Sequence, residues 1–573
     1  MPRLFGLLTI LLLSFIISCS DDKDEEVAKT TLDAVVTEFT NGTATLNFDE
    51  SQADQEYIIL PFHLGSIDTI NGAASLESPF TVTSPATGAL RIKNPDPVFM
   101  LSKAQKKNAI EHISRTIINS FDPGKSAENQ REGFWDMVRT VDRYHQNLNL
   151  NKKQTRLEDR LLERIARYKK TKTPKKLSLT ATGACLGAAG DDSAEYLITD
   201  EIDPPSNAIK EVISHDDYCM LFLESSGYAL NHKDELKSTI EKSLAFLKST
   251  IYKVDSFPDK TIKFKPNFFF GSPEALLNLK GVTGAYVHAM SKEQDKPVLI
   301  MTHDLVAIGK DESEESVGEL HATIIHELQH AIHNYYRSDS GTQDNLYIDE
   351  GLAHLIEDLA GYSDNNNFSN YAFSFLLTRM TGEAPFMPTS AFTGSDSDLD
   401  TKGRGAGHAF FYYLASQKGG FEVTNGTITG GKGLEFISSI SKSGKNGIKN
   451  VRDLYLSEGV TWQDVIGDYL VSLHLDQDKT VQNIASIHQV YPARQDITDL
   501  QGKTNKGFGM HFNHFKDLES GTNTSDLSPL KSETFNLRHY QTKPLYLKVS
   551  AGTTSFQVKS EADAGYIVSI RIK

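Results

Sequence analysis

His326-Glu327-Leu328-Gln329-His330 sits inside an apolar-periodic run, with Val317-Gly318-Glu319-Leu320-His321-Ala322-Thr323-Ile324-Ile325 before it and Ala331-Ile332 after it. That periodicity predicts a helix, and on a helix positions i and i+4 share a face with Cβ atoms about 6 Å apart. His326 and His330 can therefore grip one metal ion together. Imidazole suits Zn²⁺, and Glu327, one step round the helix, can take the proton of a water as it attacks a carbonyl. This is the chemistry of a peptidase. The pentapeptide alone also fits a buried histidine pair in an ordinary helix, so its neighbours decide the reading.

The stretch Tyr347-Ile348-Asp349-Glu350-Gly351-Leu352-Ala353-His354-Leu355-Ile356-Glu357-Asp358-Leu359-Ala360-Gly361 reads as a second helix. Asp349 suits the positive end of the dipole, Leu352, Leu355, Ile356 and Leu359 form the apolar stripe, and Gly361 stops it. Glu350 in its first turn supplies a third ligand. Two histidines and a glutamate leave one coordination position open, the catalytic rather than the structural pattern.

These segments, followed by Tyr362, resemble the hyicolysin family of zinc metallopeptidases, part of the wider thermolysin-like group whose third ligand is a glutamate. Gly405-Ala406-Gly407-His408-Ala409-Phe410-Phe411-Tyr412-Tyr413-Leu414-Ala415 resembles the family's glycine-led helix, and Val465-Ile466-Gly467-Asp468-Tyr469-Leu470-Val471 its later helix. The likeness covers about residues 262 to 480. It implies His326, His330 and Glu350 as zinc ligands and Glu327 as general base.

Other ligand sets meet the spacing differently. A metzincin needs glycine at 333 and histidine at 336, where this chain has His333 and Tyr336. Gly341-Thr342-Gln343-Asp344-Asn345-Leu346-Tyr347 resembles the aspzincin signature except for Ile348 in place of glycine, which keeps Asp344 as an alternative ligand beside a turn reading. The oxyanion of a tetrahedral intermediate needs a further donor. His408 is the first candidate, with Arg404, Tyr412 and Tyr413 behind it; Arg404 stands where the family often has tyrosine. Ligand histidines give their other N–H to a carboxylate or carbonyl. Thermolysin-like enzymes place an aspartate four residues past the ligand glutamate, where this chain has His354, so Glu357 or a backbone carbonyl takes that task. Asp396, Asp398 and Asp400 have calcium-like alternate spacing, which an acidic loop explains as well.

The expected fold is α+β. A thermolysin-like catalytic domain of small sheet plus helical subdomain covers 191–500, between an N-terminal β-sandwich-like module at 31–100 and a C-terminal β-module at 501–573. Its sheet strands are Phe268-Phe269-Phe270, Gly284-Ala285-Tyr286-Val287 and Pro297-Val298-Leu299-Ile300-Met301. Residues 101–190 read as a helical linker or packing arm. The apolar run Leu4 to Ile17 ahead of Ser18-Cys19 has the order of a signal peptide, 1–18, and Ile16-Ile17-Ser18-Cys19 resembles a bacterial lipobox. A lipid anchor on Cys19 and an acidic tether, 19–30, would place the chain in the cell envelope. Cys185 and Cys219 then remain as an even pair suited to a disulfide in an exported chain, or as two buried thiols. A net charge of -16 and pI near 5.6 argue against nucleic acid and against charge-driven membrane binding. The expected partner is a protein or peptide substrate. The alternative is a catalytically weak surface lipoprotein that binds a host or envelope ligand through its β-modules.

Overall fold

The computed structural model describes residues 30–48, 55–64, 78–83, 185–186, 209–223, 228–257, 264–271, 284–286, 296–302, 314–337, 346–362, 397–472, 479–482, 495–505, 532–537, 545–549, 555–560 and 565–571, with single positions at 291, 344 and 542. Cys19, the acidic tether, the arm expected over 101–190 apart from Cys185 and Leu186, and the side chains of Asp396, Asp398, Asp400 and Arg404 lie outside them.

In chain order the elements are β1 (Thr30–Glu38), β2 (Thr43–Asn47), β3 (Glu56–His63), β4 (Ser78–Thr83), β5 (Glu211–Ser214) and β6 (Cys219–Phe222), then helix α1 (Lys233–Phe246), β7 (Asn267–Gly271), β8 (Gly284–Tyr286) and β9 (Val298–Thr302). Helices α2 (Glu314–Arg337), α3 (Leu346–Leu359) and α4 (Ser397–Gln417) follow, then hairpin β10 (Glu422–Thr424) and β11 (Thr427–Gly430), α5 (Lys432–Lys442), α6 (Gly447–Tyr455) and α7 (Trp462–Ser472). The remaining strands are β12 (Lys479–Gln482), β13 (Ile497–Thr498), β14 (Thr504–Asn505), β15 (Ser532–Leu537), β16 (Leu545–Lys548), β17 (Ser555–Ser560) and β18 (Gly565–Arg571). The chain is thus mixed α/β, with several small sheets and a group of helices.

The two terminal β-modules expected from the sequence are one unit. β18 lies between β1 and β3 in a five-stranded sheet ordered β12-β1-β18-β3-β16, and β17 lies between β4 and β2 in a four-stranded sheet ordered β15-β4-β17-β2. Both sheets feed one core, where Leu46, Phe80 and Phe556 meet Ile59, Leu547 and Ile567. Asn41 and Gly42, both at positive φ, make the tight corner that sends β1 and β2 into different sheets. The physical reason for the fusion is burial. Alternate residues of β3 and β18 face opposite ways: Ile59 and Ile567 enter the sandwich core, while Leu60, Phe62, Val568 and Ile570 face the helical body. A sheet covered on both sides reads as a continuous apolar run, as Tyr566-Ile567-Val568 does. Helix α7 supplies that cover, and Gly467 permits it, since a Cβ there would come within 2.8 Å of Val36 Cγ2.

The central sheet has five strands ordered β5-β6-β7-β9-β8, with β6, β7 and β9 parallel and the two edges antiparallel to their neighbours. The apolar runs placed the last three strands; β5 and β6, of four residues each, escaped the sequence reading. Cys219 at the start of β6 is disulfide-bonded to Cys185, and Leu186 N donates to Asn267 Oδ1 at 2.9 Å, so the chain entering this region is tied to the sheet. Helix α2 runs beside β8 and β9 and packs on α1, α3 and α5.

Candidate metal centre

Helix α2 delivers His326 and His330 from one face, as their spacing requires, and α3 brings Glu350 against them. α3 starts at Leu346, earlier than expected, so Glu350 lies one turn inside it. His326 Nε2 and His330 Nε2 are 3.0 Å apart, and Glu350 Oε2 lies 3.4 and 3.5 Å from them. All three side chains are buried. These separations are close to the ~3.3 Å edge of a tetrahedron whose ligands stand about 2.0–2.1 Å from a central zinc-sized ion.

The ring partners bear on the tautomers. His326 Nδ1 is 3.1 Å from Glu357 Oε2, and His330 Nδ1 is 3.0 Å from Asp349 Oδ1. A carboxylate only accepts, so at His326, where the contact has hydrogen-bond geometry, Nδ1 carries the proton and Nε2 presents its lone pair; His330 Nδ1 stands at ion-pair distance from Asp349 without that geometry. The Nε2 atoms of the two imidazoles and a carboxylate oxygen then converge in a buried space. Such a set is repulsive without a positive charge among them, and that is the ground on which these residues fit a metal ion. The electrostatics agree. Burial opposes charge on His326, but Glu350 and Glu357 outweigh it and push its pKa up to about 9. For His330 burial again opposes, and Asp349 and Glu350 drive the pKa well above its usual value. Burial works against ionised Asp349, yet His330 beside it keeps that carboxyl below the usual range.

Glu327 is buried next to His326 on α2 and adds to the negative field on that ring. Its neighbour in the motif, Gln329, is held by Tyr252, whose hydroxyl lies 2.9 Å from Gln329 Oε1. The close approach of α3 to α4 rests on two glycines. A Cβ at Gly351, next to Glu350, would come within 2.9 Å of the Gly407 backbone, and one at Gly407 within 3.0 Å of Gly351 Cα. The end of α3 is pinned by the hairpin β13–β14, because Gly361, at φ +89°, abuts the backbone of Asp499.

Other candidates are placed elsewhere. Asp344 is not in the cluster: its Oδ2 lies 3.0 Å from His333 Nε2 and 2.9 Å from an Arg337 guanidinium nitrogen, and its Oδ1 accepts from Gly447 N at 2.7 Å. His333 Nδ1 is 2.8 Å from Ser441 Oγ, which completes the order Ser-His-Asp. All three side chains are buried, with Ser441 inside α5, so this chain of contacts ties α2 to α5. His408 is buried against Asp358, Nε2 to Oδ2 3.6 Å, and does not join the metal-competent group. Tyr412 packs on His408 and Phe421, and Tyr413 on Tyr469. Sequence reading missed Asp349 as the partner of His330, having assigned it to the helix dipole; its adjacency to Glu350 was the one signal. The task left open between Glu357 and a carbonyl falls to Glu357.

No family model matches the chain, and no curated protein matches it. Among solved structures it is similar to an aminopeptidase N family protein from Idiomarina loihiensis, at 11% identity and a TM-score of 0.29, over 61% of this chain and 68% of that one. A likeness of that size assigns neither fold nor activity. What the chain itself defines is a mixed α/β protein with a buried His-His-Glu group able to hold a metal ion.

Proposed function

We propose that this protein is a zinc-dependent endopeptidase, exported and lipid-anchored through Cys19, with a thermolysin-like catalytic region. The observation that carries the reading is the convergence of His326 Nε2, His330 Nε2 and Glu350 Oε2, with Glu327 beside them on the same helix. The motif resemblance to hyicolysin-type peptidases supports it. When bound, zinc would polarise the scissile carbonyl and make water more acidic. Glu327 then takes a proton from the attacking water and returns it to the leaving amine. Glu357 accepts from His326 Nδ1, and Asp349 stands beside His330 Nδ1, so both rings turn Nε2 toward the site. β8, the edge strand beside α2 among the described residues, would present its outer backbone groups to an extended peptide, which favours protein segments as substrate.

The test is metal analysis alongside digestion of a peptide library. Wild type is expected to carry one zinc per chain and to cleave. Glu327→Gln should keep the metal and lose on the order of 10²–10⁴ in rate. His330→Ala and Glu350→Ala should lose both metal and activity. Undiminished cleavage by Glu327→Gln, or full metal content without Glu350, refutes the reading.

A further inference from the structure

We propose that His354 is a positioning residue of the metal site, acting through Glu357; this rests on the metal-binding reading above. Glu350, His354 and Glu357 stand at i, i+4 and i+7 on α3, one face of the helix. His354 Nδ1 lies 3.2 Å from Glu357 Oε2, the same oxygen that faces His326 Nδ1 at 3.1 Å. The two rings lie 4.4 Å apart, and His354 Nε2 is 3.9 Å from Glu350 Oε2, beyond hydrogen-bond reach.

Glu357 is fully buried, and a glutamate has three side-chain torsions to settle. The N–H of His326 and a second N–H on the same oxygen, given by a residue of its own helix, together restrict the rotation of that carboxylate before any metal arrives. His354 thus occupies the position where thermolysin-like enzymes have an aspartate, and it orients the acceptor of the ligand's N–H instead of being that acceptor. His326, His354 and Glu357 also meet the distance condition for a metal ion of their own. The separations of 3.1 and 3.2 Å would suit either arrangement, but a cation there would take the nitrogen that sets the tautomer of His326.

Two variants separate donation from packing. His354→Leu removes the N–H, whereas His354→Asn keeps an N–H at the place of Nδ1. Zinc affinity is read by competition with a chromophoric chelator, with metal stoichiometry and the apo-protein Tm measured in parallel. Expected are one zinc per wild-type chain, an affinity loss of about tenfold or more in His354→Leu, near wild-type affinity in His354→Asn, and the same apo Tm in both. In a Glu357→Ala background, His354→Leu should cost nothing further, because the group it steers is gone. Equal loss in the Leu and Asn variants, no loss in either, or two zinc ions per wild-type chain overturns the proposal. Failure of the wild type to bind zinc overturns instead the reading on which it rests.

Discussion

Asp468 places a carboxyl group in the core among Tyr413 of α4 and Tyr455 of α6, and its Oδ1 has no hydrogen-bond partner among the described residues. Burial, with a smaller push from Asp464, raises its pKa to about 8. In the unfolded chain it titrates near 4. Between those values the native state holds a proton that the unfolded state has released, so this group's contribution to stability falls as pH rises through that window. Asp468→Asn should therefore gain Tm over wild type, and the gain should be wider near pH 8 than near pH 5 by thermal denaturation; an equal gain at both would contradict the assignment. Arg337 is the opposite case, a buried charge that is fully engaged. It pairs with Asp344, donates to the carbonyls of Ile440 and Ser441 at the end of α5, and to Asn446 Oδ1. Arg337→Met would remove the cation paired with the buried Asp344 and the donors to those carbonyls, with a cost of ~3–5 kcal/mol in denaturant unfolding. Neither role was legible from sequence: Arg337 ends the motif helix as a polar residue like many others, and apart from Asp344 the acceptors it reaches at the end of α5 and at Asn446 stand more than a hundred positions away.

Among elements, the contact of α3 with α4 decides whether the metal ligands meet. Gly351 and Gly407 bring the two backbones together directly behind Glu350. Gly351→Ala leaves every ligand in the sequence but forces the helices apart, so stability should drop by about 1–3 kcal/mol. Zinc affinity should fall with it, measured by chelator competition at a temperature where the variant remains folded. Helices α2 and α3 are legible because their apolar residues recur at helical spacing, and α4 and α7 through the resemblance of their segments to the family's helices. Between α4 and α5 the chain makes the hairpin β10–β11 around Asn425-Gly426, both at positive φ. That dipeptide was the available sign, masked by short polar strands on either side.

At the scale of the molecule, the sandwich is built from both ends of the chain. β18 pairs on its two edges with β1 and β3, and β17 with β2 and β4. The N-terminal strands are therefore not a removable segment. Deleting residues 30–83 should leave β17 and β18 with bare edges and expose the apolar face that meets α7, giving aggregation in size-exclusion chromatography and loss of a single cooperative thermal transition. A monomeric, cooperatively folding product of that deletion would show that the two ends are independent after all.

The order of residues alone was enough to announce two histidines on one helical face, a glutamate on the next helix, and strands at both termini, because each of these is a local pattern with a short repeat. It could not say that Glu357 sets the tautomer of His326 while Asp349 stands beside His330, that Asp344 belongs to Arg337 and His333, or that strands from opposite ends interleave. Those are matters of which buried group finds which partner across long stretches of chain. Desolvation and close packing settle them only once the elements are assembled.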